Sequence, residues 1–262
     1  MAVWILLMLL AIDIGNTHTV CGVWNGTRWC AIWRRSTTVD VTEDELAAWL
    51  RSMFDLSGFV WKVDGAICGS VVPQLDRIWN KLAERWFGVP LRFLKLGSEV
   101  GLQVDYDPPR AVGADRIANA LGALDRFEPP IIVVDFGTAT TFDAIDSYGA
   151  YAGGAILPGI QLSSRALFDK AAKLPEVDFV APDHALGRNT VQSLQSGIML
   201  GYAGAIDSLA RRIDGELGGN SKIIATGGLG SMFLGLCDSI ESYEPNLTLD
   251  GLVIASKRLA AL

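Results

Sequence analysis

One sequence pattern occurs twice in this chain. The segments LLAIDIGNTHTV at residues 9–20 and IIVVDFGTATTF at residues 131–142 each contain an apolar run, an aspartate, a glycine and a small polar stretch with threonine. An apolar run that passes through a glycine turn into a second apolar run is typical of a β-hairpin. The two copies therefore predict a fold of two lobes, each built on a hairpin. The 262 residues are enough for two domains of ordinary size.

The turns of both hairpins have the composition of a phosphate site. A glycine turn exposes consecutive backbone N–H groups, and small hydroxyl side chains add donors without blocking the approach of a ligand. Asp13 and Asp135 would repel phosphate by themselves, so we expect each to hold a cation beside the phosphate oxygens. A plain hairpin turn is the alternative for a single copy. The presence of the Asp and Gly pattern at equivalent places in both halves favours the phosphate site.

A third segment, KIIATGGLG at residues 222–230, also contains an apolar strand that runs into small residues. Gly227 and Gly228 lack side chains, which would let a flat ligand such as adenine lie against the backbone. The sequence has neither the GxxxxGK[ST] pattern of a P-loop nor a GxGxxG pattern after a strand. We therefore predict a nucleotide site of another kind.

Composition narrows the class of protein. The net charge of −7 and the pI near 4.9 argue against a nucleic-acid partner, because such proteins need clustered Lys and Arg. The four cysteines lack metal-ligand spacing and are expected to be free thiols in a reducing compartment. The apolar run at residues 1–12 is too short to cross a membrane and lacks the basic region of a signal peptide. We expect a cytoplasmic protein with no membrane partner, whose natural start is Met8 and whose residues 1–7 are a dispensable extension.

The segment between the hairpins carries an acidic and a basic residue at the predicted start of a helix. Pro108 and Pro109 favour an extended chain, and from about Gly113 the apolar residues have helical spacing. Arg116 can bind a substrate carboxylate in bidentate geometry, while Asp115 can accept a proton from a substrate hydroxyl. The pair suits phosphoryl transfer to a small hydroxy acid. An acid in the first helical turn is also a common partner of the helix dipole.

The order of DIGNT, DFGT and TGG resembles the two phosphate motifs and the adenosine motif of the superfamily of acetate and sugar kinases, Hsp70 and actin. This resemblance implies an α/β fold of two duplicated ribonuclease H-like (actin-like ATPase) lobes, with mixed sheets flanked by helices. We place the N-terminal lobe at residues 1–112 and the C-terminal lobe at residues 113–262.

Tyr106 and the string Gly113-Ala114-Asp115-Arg116 resemble the signature of type III pantothenate kinases, and DFGTATT, GGAILPG and GRNT agree with that family. The resemblance implies ATP-dependent phosphorylation of pantothenate to 4'-phosphopantothenate, the first step of coenzyme A synthesis. It also implies Mg²⁺ with ATP, a monovalent cation (K⁺ or NH₄⁺) and a homodimer. One departure is Pro108-Pro109, where many members have Asn-Pro, and this difference could alter the fit around Tyr106.

The resemblance assigns a role to each matching residue. Asp115 is the implied general base. Pantothenate contacts are implied for Tyr106, Gly113, Ala114, Asp115, Arg116 and Thr190. ATP contacts are implied for Asp13, Ile14, Gly15, Asn16, Thr17, His18, Thr19, Val20 and Thr138, with Gly227 and Gly228 on the adenosine side. The implied metal ligands are Asp135 for K⁺ and Asp13 for Mg²⁺ or its waters.

Two questions stay open from the sequence. The helical segment that follows Thr190 has Gly197, Gly201 and Gly204 on neighbouring turns, and the close helix contact they allow is either internal or across a two-fold axis. The resemblance favours the two-fold axis. The adjacent Asp115 and Arg116 of GADR also fit a kinase for another small hydroxy acid. Outside the enzymes, the alternative is a nucleotide-dependent regulatory protein, such as a transcription accessory factor of the same superfamily.

Overall fold

The computed structural model describes residues 8–260, and the expected N-terminal extension at residues 1–7 lies outside them. Within this range the chain forms two five-stranded sheets. Their strands are β1 (Leu9–Ile14), β2 (His18–Trp24), β3 (Trp29–Ser36), β4 (Gly65–Ser70), β5 (Leu91–Leu94), β6 (Ile131–Phe136), β7 (Ala139–Ile145), β8 (Tyr151–Pro158), β9 (Lys222–Thr226) and β10 (Ser242–Tyr243). Both predicted hairpins are present, as β1 with β2 and β6 with β7.

The two sheets have the same topology. The strand order is β3-β2-β1-β4-β5 in the first sheet and β8-β7-β6-β9-β10 in the second. In each sheet, three strands pair antiparallel and the last two join parallel to the first strand of the hairpin. The duplication predicted from the repeated pattern is thus confirmed strand by strand, and both sheets are mixed.

Helices accompany both sheets. They are α1 (Glu43–Leu56), α2 (Pro73–Leu82), α3 (Ala114–Arg126), α4 (Ile160–Lys170), α5 (Thr190–Gln195), α6 (Gly201–Glu216), α7 (Gly230–Phe233) and α8 (Leu247–Ala260). A π-helical turn at Ala83–Phe87 extends α2, and another at Ser196–Leu200 joins α5 to α6. The helix predicted to start near Gly113 is confirmed as α3. Between residues 8 and 260, no helix combines the length and apolar character needed to span a bilayer.

The apolar runs before the two aspartates are continuous because both faces of these strands are covered. In β1, Leu10, Ala11 and Ile12 are all fully buried, and α8 packs against this strand. The first four residues of β6 are buried in the same way. A strand covered on both faces has no solvated side on which polar residues could alternate. The carboxylates Asp13 and Asp135 therefore occur only near the ends of their strands, where the burial is partial.

The chain divides into two compact units, one of which is discontinuous in sequence. Among the described residues, the first contains 8–122 and 247–260, and the second contains Ala123–Asn246. The sequence predicted a lobe boundary after residue 112, before the end of this first stretch at Gly122. It also assigned the C-terminal segment to the second lobe, whereas the segment from Leu247 packs with the first unit. Helix α8 joins the first unit because it packs closely on α3. A Cβ on Gly122 would lie 2.6 Å from the Leu247 carbonyl oxygen, and one on Gly251 would overlap the backbone of Ala118.

Candidate functional site

The first repeated turn connects β1 to β2. The N–H of Gly15 donates to the carbonyl of His18 at 3.0 Å and closes the hairpin. Residues 16–18 at its tip are exposed, while Thr19 is almost fully buried and Asp13 is half-buried. The turn therefore offers an exposed backbone to a ligand, with a partly desolvated carboxylate at the end of the preceding strand.

Thr37, which follows β3, holds the shape of this turn. Its hydroxyl donates to the carbonyl of Gly15 at 2.7 Å and lies 3.0 Å from the hydroxyl of Thr19. Its backbone N–H donates to the carbonyl of Thr17 at 2.8 Å. The sequence reasoning missed Thr37, because its position beside the turn depends on the antiparallel pairing of β2 with β3, in which His18 opposes Ser36.

The end of β4 and the start of α3 lie at the same end of the first sheet as this turn. Ile14 pairs with Ser70, and the N–H of Val71 donates to the carbonyl of Ile14 at 3.0 Å. A Cβ built on Gly113 would lie 3.5 Å from a methyl carbon of Val71. Within the first unit, the structure thus brings the predicted phosphate turn and the GADR string to one edge of the sheet.

Asp115 lies in the first turn of α3, and its carboxylate is turned back toward the helix backbone. Its Oδ1 accepts a hydrogen bond from the N–H of Arg116 at 2.8 Å. Burial raises the pKa of this carboxyl, while the Arg116 N–H and the Arg116 charge act in the opposite direction. A raised pKa makes a carboxylate a better proton acceptor near neutral pH.

The glycine of GADR has a steric reason. A Cβ on Gly113 would collide with Oδ1 of Asp115. The backbone at Gly113 does not have positive φ, so the position requires glycine for space rather than for backbone conformation. Gly113 therefore makes room for the carboxylate of the predicted base.

The other residues of the first unit that are predicted to contact pantothenate lie around the start of α3. Arg116 is only 8% exposed and Ala114 is buried, while Tyr106 is half-buried in the preceding loop. Pro108 is extended as predicted, and Pro109 starts a short 3₁₀ turn, Pro109–Ala111, that leads into α3.

One turn further along α3, buried Asn119 accepts a hydrogen bond from the hydroxyl of Thr248 on α8 at 2.7 Å. The helix that carries the acid and base pair is thereby tied to α8.

The second repeated turn connects β6 to β7 and is closed by the N–H of Gly137, which donates to the carbonyl of Ala139 at 3.1 Å. Thr138 is exposed and Asp135 is half-buried. Gly159, just after β8, donates its N–H to the carbonyl of Thr138 at 3.0 Å. A Cβ on Gly159 would collide with that carbonyl and lie 2.7 Å from the carbonyl oxygen of Gly137. Each turn thus receives a backbone hydrogen bond from the residue after its third strand; the first turn also receives the Thr37 hydroxyl, and the second has close packing at Gly159 instead.

The predicted adenosine segment lies beside Asp135. Strands β6 and β9 are parallel neighbours in which Asp135 pairs with Thr226, so Gly227 follows directly past the end of β6. Gly227 has φ of +85° and its carbonyl accepts from the hydroxyl of Tyr243 at 3.0 Å. The space that a side chain would need at Gly227 is filled by Asp135 and the backbone of Phe136, whereas Gly228 is exposed. Gly228 has an exposed backbone and Gly227 is half-buried, and the assignment of both to the adenosine side stays a prediction.

The GRNT string forms the start of α5 in the second unit. Asn189 caps the helix by accepting from the N–H of Gln192 at 2.9 Å, and Thr190 is the exposed first helical residue. Residues 182–188 together with Gln192 line a cavity of about 680 Å³ next to this cap. Such a volume is within the range of small-molecule sites.

The donor groups at both turns fit a metal ion that has one protein carboxylate as a ligand and takes its other ligands from water and substrate. Within residues 8–260 no group of three or more His, Cys, Asp or Glu side chains is placed to bind a metal. Mg²⁺ is commonly held by one or two carboxylates together with substrate phosphates. Single carboxylates such as Asp13 and Asp135, each beside an exposed turn, match that mode and do not match an all-protein metal cage.

Comparisons with known proteins bear on the family and the fold. The sequence model of the family described as Type III pantothenate kinase matches residues 9–212. The chain belongs to this family. The type III pantothenate kinase of Myxococcus xanthus (strain DK1622) is 46% identical over 248 residues, which cover 94% of this chain and 97% of that relative.

Solved structures that resemble this family member share its fold at low sequence identity. A Campylobacter jejuni protein described as a Baf family transcriptional activator has a TM-score of 0.62 at 20% identity, covering 97% of this chain and 100% of that one. MreB 5 of Spiroplasma citri bound to AMPPNP has a TM-score of 0.53 at 13% identity, covering 96% and 95%. These likenesses concern the fold alone. It is the predicted α/β actin-like ATPase fold, with two duplicated ribonuclease H-like halves.

Proposed function

We propose that this pantothenate kinase family member transfers the γ-phosphoryl group of ATP to the primary hydroxyl of pantothenate, as the first step of coenzyme A synthesis. The observation that carries the proposal is the start of α3. There a half-buried carboxylate with a raised pKa lies directly before a buried arginine. A substrate with a hydroxyl at one end and a carboxylate at the other complements this pair.

Each residue of the pair has one task in the reaction. Arg116 binds the pantothenate carboxylate, and Tyr106, Gly113, Ala114 and Thr190 complete the predicted contacts with that substrate. Asp115 accepts the hydroxyl proton while the hydroxyl oxygen bonds to the γ-phosphorus. The bond from the γ-phosphorus to the bridging oxygen breaks, and ADP leaves with that electron pair. Positioning and charge neutralisation carry most of the catalysis in reactions of this kind.

We assign the nucleotide to the two turns. Within the predicted stretch of residues 13–20, the exposed N–H and hydroxyl groups at 16–18 would donate to the phosphates together with those of Thr138, and the bare backbone at Gly228 would support adenine. Asp13 is the proposed ligand of Mg²⁺ or of its waters. Mg²⁺ would supply neutralisation of phosphate charge. Asp135 is the proposed ligand of the monovalent cation, K⁺ or NH₄⁺, since carboxylate oxygens suit hard cations.

A homodimer in the cytoplasm is part of the same proposal. A Cβ built on Gly197, Gly201 or Gly204 has open space around it, so the second unit itself does not use the close approach that these glycines permit. Large apolar side chains of this unit are also exposed, among them Ile156 at 64% and Leu186 at 71%. Light scattering of the purified chain tests the dimer. Four free cysteines in the described part of the chain agree with a reducing compartment.

The deciding experiment measures ADP release from Mg-ATP with pantothenate, in KCl and in NaCl of equal ionic strength. We expect turnover that requires pantothenate and is faster in KCl. The matched acceptor is pantoate, which has the same hydroxyl but a shorter chain to its carboxylate. Turnover with pantoate and none with pantothenate would support a kinase for another hydroxy acid. ATP binding without turnover on either acceptor would support a regulatory protein and contradict the proposal.

A further inference from the structure

The glycine that ends the adenosine strand is in contact with the proposed cation ligand. In the second unit, a Cβ built on Gly227 would collide with Oδ1 of Asp135 and lie 2.7 Å from both the nitrogen and the carbonyl carbon of Phe136. These atoms belong to the last two residues of β6. Any side chain at Gly227 would therefore press on the carboxylate and on the strand end that presents it.

The loop around Gly227 is fixed and has little room to retreat. The hydroxyl of Tyr243 donates to the Gly227 carbonyl at 3.0 Å, and the hydroxyl of Thr226 donates to the carbonyl of Glu244 at 2.7 Å. Both anchors come from β10 and the residue after it, on the far side of β9 from β6. Because these hydrogen bonds fix the loop on its β10 side, a Cβ at Gly227 that collides with Oδ1 on the β6 side displaces the Asp135 carboxylate.

We propose that Gly227 is a positioning residue for Asp135, so that the adenosine loop sets the place of the carboxylate that holds the monovalent cation. This inference rests on the proposed function of Asp135. The first glycine of the TGG string thus serves the cation, while the exposed second glycine faces the nucleotide. A residue that orients a metal ligand commonly changes metal affinity by a large factor when it is altered.

Gly227→Ala tests the proposal, and Gly235→Ala is its matched control. Both glycines have positive φ, +85° and +83°, so alanine meets the same backbone strain at each position. A Cβ at Gly235 has open space around it, unlike a Cβ at Gly227. The effect of collision with Asp135 is therefore the difference between the two variants.

The measured quantity is the KCl concentration that gives half-maximal activation, with choline chloride keeping the ionic strength constant. We expect Gly227→Ala to raise this concentration about 10- to 100-fold, and Gly235→Ala to leave it near that of the parent. A second readout needs no turnover. The increase in melting temperature that KCl gives in the presence of Mg-ADP should shrink in Gly227→Ala alone, because bound ligands stabilise the folded state by mass action.

Two further variants keep the test decisive. Tyr243→Phe removes one of the two hydrogen bonds that hold the loop and should raise the half-activating KCl concentration in the same direction by less, even if Gly227→Ala folds poorly. In an Asp135→Ala background, Gly227→Ala should cause a smaller loss of turnover than in the parent, since only its contact with the Phe136 backbone remains. Equal KCl dependence of Gly227→Ala and Gly235→Ala, in a parent that is activated by K⁺, overturns the positioning role alone. A parent indifferent to K⁺ overturns the cation assignment of Asp135 together with it.

Discussion

The two repeated turns occupy equivalent places in equivalent sheets, and each accepts a backbone hydrogen bond, from Thr37 in the first and from Gly159 in the second, but the remaining contacts differ. The first is held by hydrogen bonds from Thr37 to the carbonyls of Gly15 and Thr17. The second is held by close backbone packing of Gly159 against the turn, and its aspartate is packed against Gly227. Duplicated topology thus places both turns and the backbone hydrogen bond that each receives, while the residue type at the equivalent position, threonine or glycine, decides what else contacts each turn.

The neighbours also differ in the chemistry they bring. At the first turn, the adjacent segment is the start of α3 with Asp115 and Arg116. At the second turn, it is the adenosine loop after β9. We propose that the first unit supplies the base Asp115 and Arg116, that the turns of both units serve the nucleotide, and that Asp135 in the second unit serves the cation. Variants at Asp115 should therefore change kcat, variants at the two turns the KM for ATP, and variants at Asp135 the KCl requirement.

Asp115→Asn should give the largest effect. Removing a general base typically lowers the rate by about 10²- to 10⁴-fold, and we expect this loss in kcat with little change in the KM for ATP. Asn can still accept the hydrogen bond that Asp115 receives from the N–H of Arg116. The matched variant is Asp135→Asn, which should instead raise the KCl requirement. Unaltered turnover by Asp115→Asn would contradict its role as base.

Gly113→Ala should be the next largest, since the added Cβ collides with the Asp115 carboxylate. Displacing a reacting group by about 1 Å can cost about 10²-fold in rate. The control is Gly65→Ala in the same unit, where the added carbon would lie an ordinary 3.6 Å from a Leu9 methyl. Steady-state kcat should fall in the first variant only. Equal kcat in both variants would show that the Asp115 carboxylate does not act from this position.

The pH dependence of the acceptor reaction should reveal the environment of Asp115. Burial raises its pKa, so kcat/KM for pantothenate should fall with decreasing pH at values above the ordinary aspartate range, by about tenfold for each pH unit below the pKa. The folding stability linked to Asp115 should change with pH in the opposite direction to kcat/KM. A raised pKa in the folded state means that the stability linked to this group is greatest at acid pH and is lost as pH rises through that pKa.

Asp115→Asn removes that penalty, so at neutral pH its melting temperature should equal or exceed that of the parent. This combination of lost turnover and retained stability separates a base from a residue needed for folding. An acid limb within or below the ordinary aspartate range, or a melting temperature clearly below that of the parent, would contradict this account of Asp115.

Sequence reasoning predicted the features that depend on local pattern. The repeated apolar runs with Asp and Gly predicted both hairpins, and the apolar spacing after Gly113 predicted α3. The combination of motifs also predicted the family, which the comparisons confirmed. The assignments of individual site residues stay predictions, since placement alone does not show what a side chain binds.

Features that depend on long-range packing were not predicted. Thr37 reaches the first turn only through the pairing of β2 with β3. The place of α8 in the first unit depends on Gly251 packing on the backbone of Ala118, which leaves no periodic signal in the sequence. At Gly227 the residue type was noticed but its reason was not, because adenine and the Asp135 carboxylate would both require a missing side chain there.

Gly159→Ala should weaken the second turn more than Gly15→Ala weakens the first. Overpacking against backbone costs about 1–3 kcal/mol, and the carbon added at Gly159 meets two carbonyl groups of the turn. The carbon added at Gly15 would lie 3.0 Å from a single carbonyl, that of His18. We expect a larger increase in the KM for ATP and a larger drop in melting temperature for Gly159→Ala. A larger effect of Gly15→Ala would reverse the comparison of the two turns.

Thr37→Val should give the smallest effect and acts on the first turn alone. Valine keeps the shape of the side chain and the N–H bond to Thr17, but it removes the hydroxyl that donates to Gly15 and adjoins Thr19. A hydrogen bond of this kind contributes about 0.5–1.5 kcal/mol, so urea unfolding should show a loss of that order with a modest increase in the KM for ATP. Thr38→Val, at an exposed neighbouring position, is the control. Since the second turn has glycine packing where the first has this hydroxyl, the KCl requirement set by Asp135 should not change in Thr37→Val. A change in that requirement would mean that the two turns do not act separately.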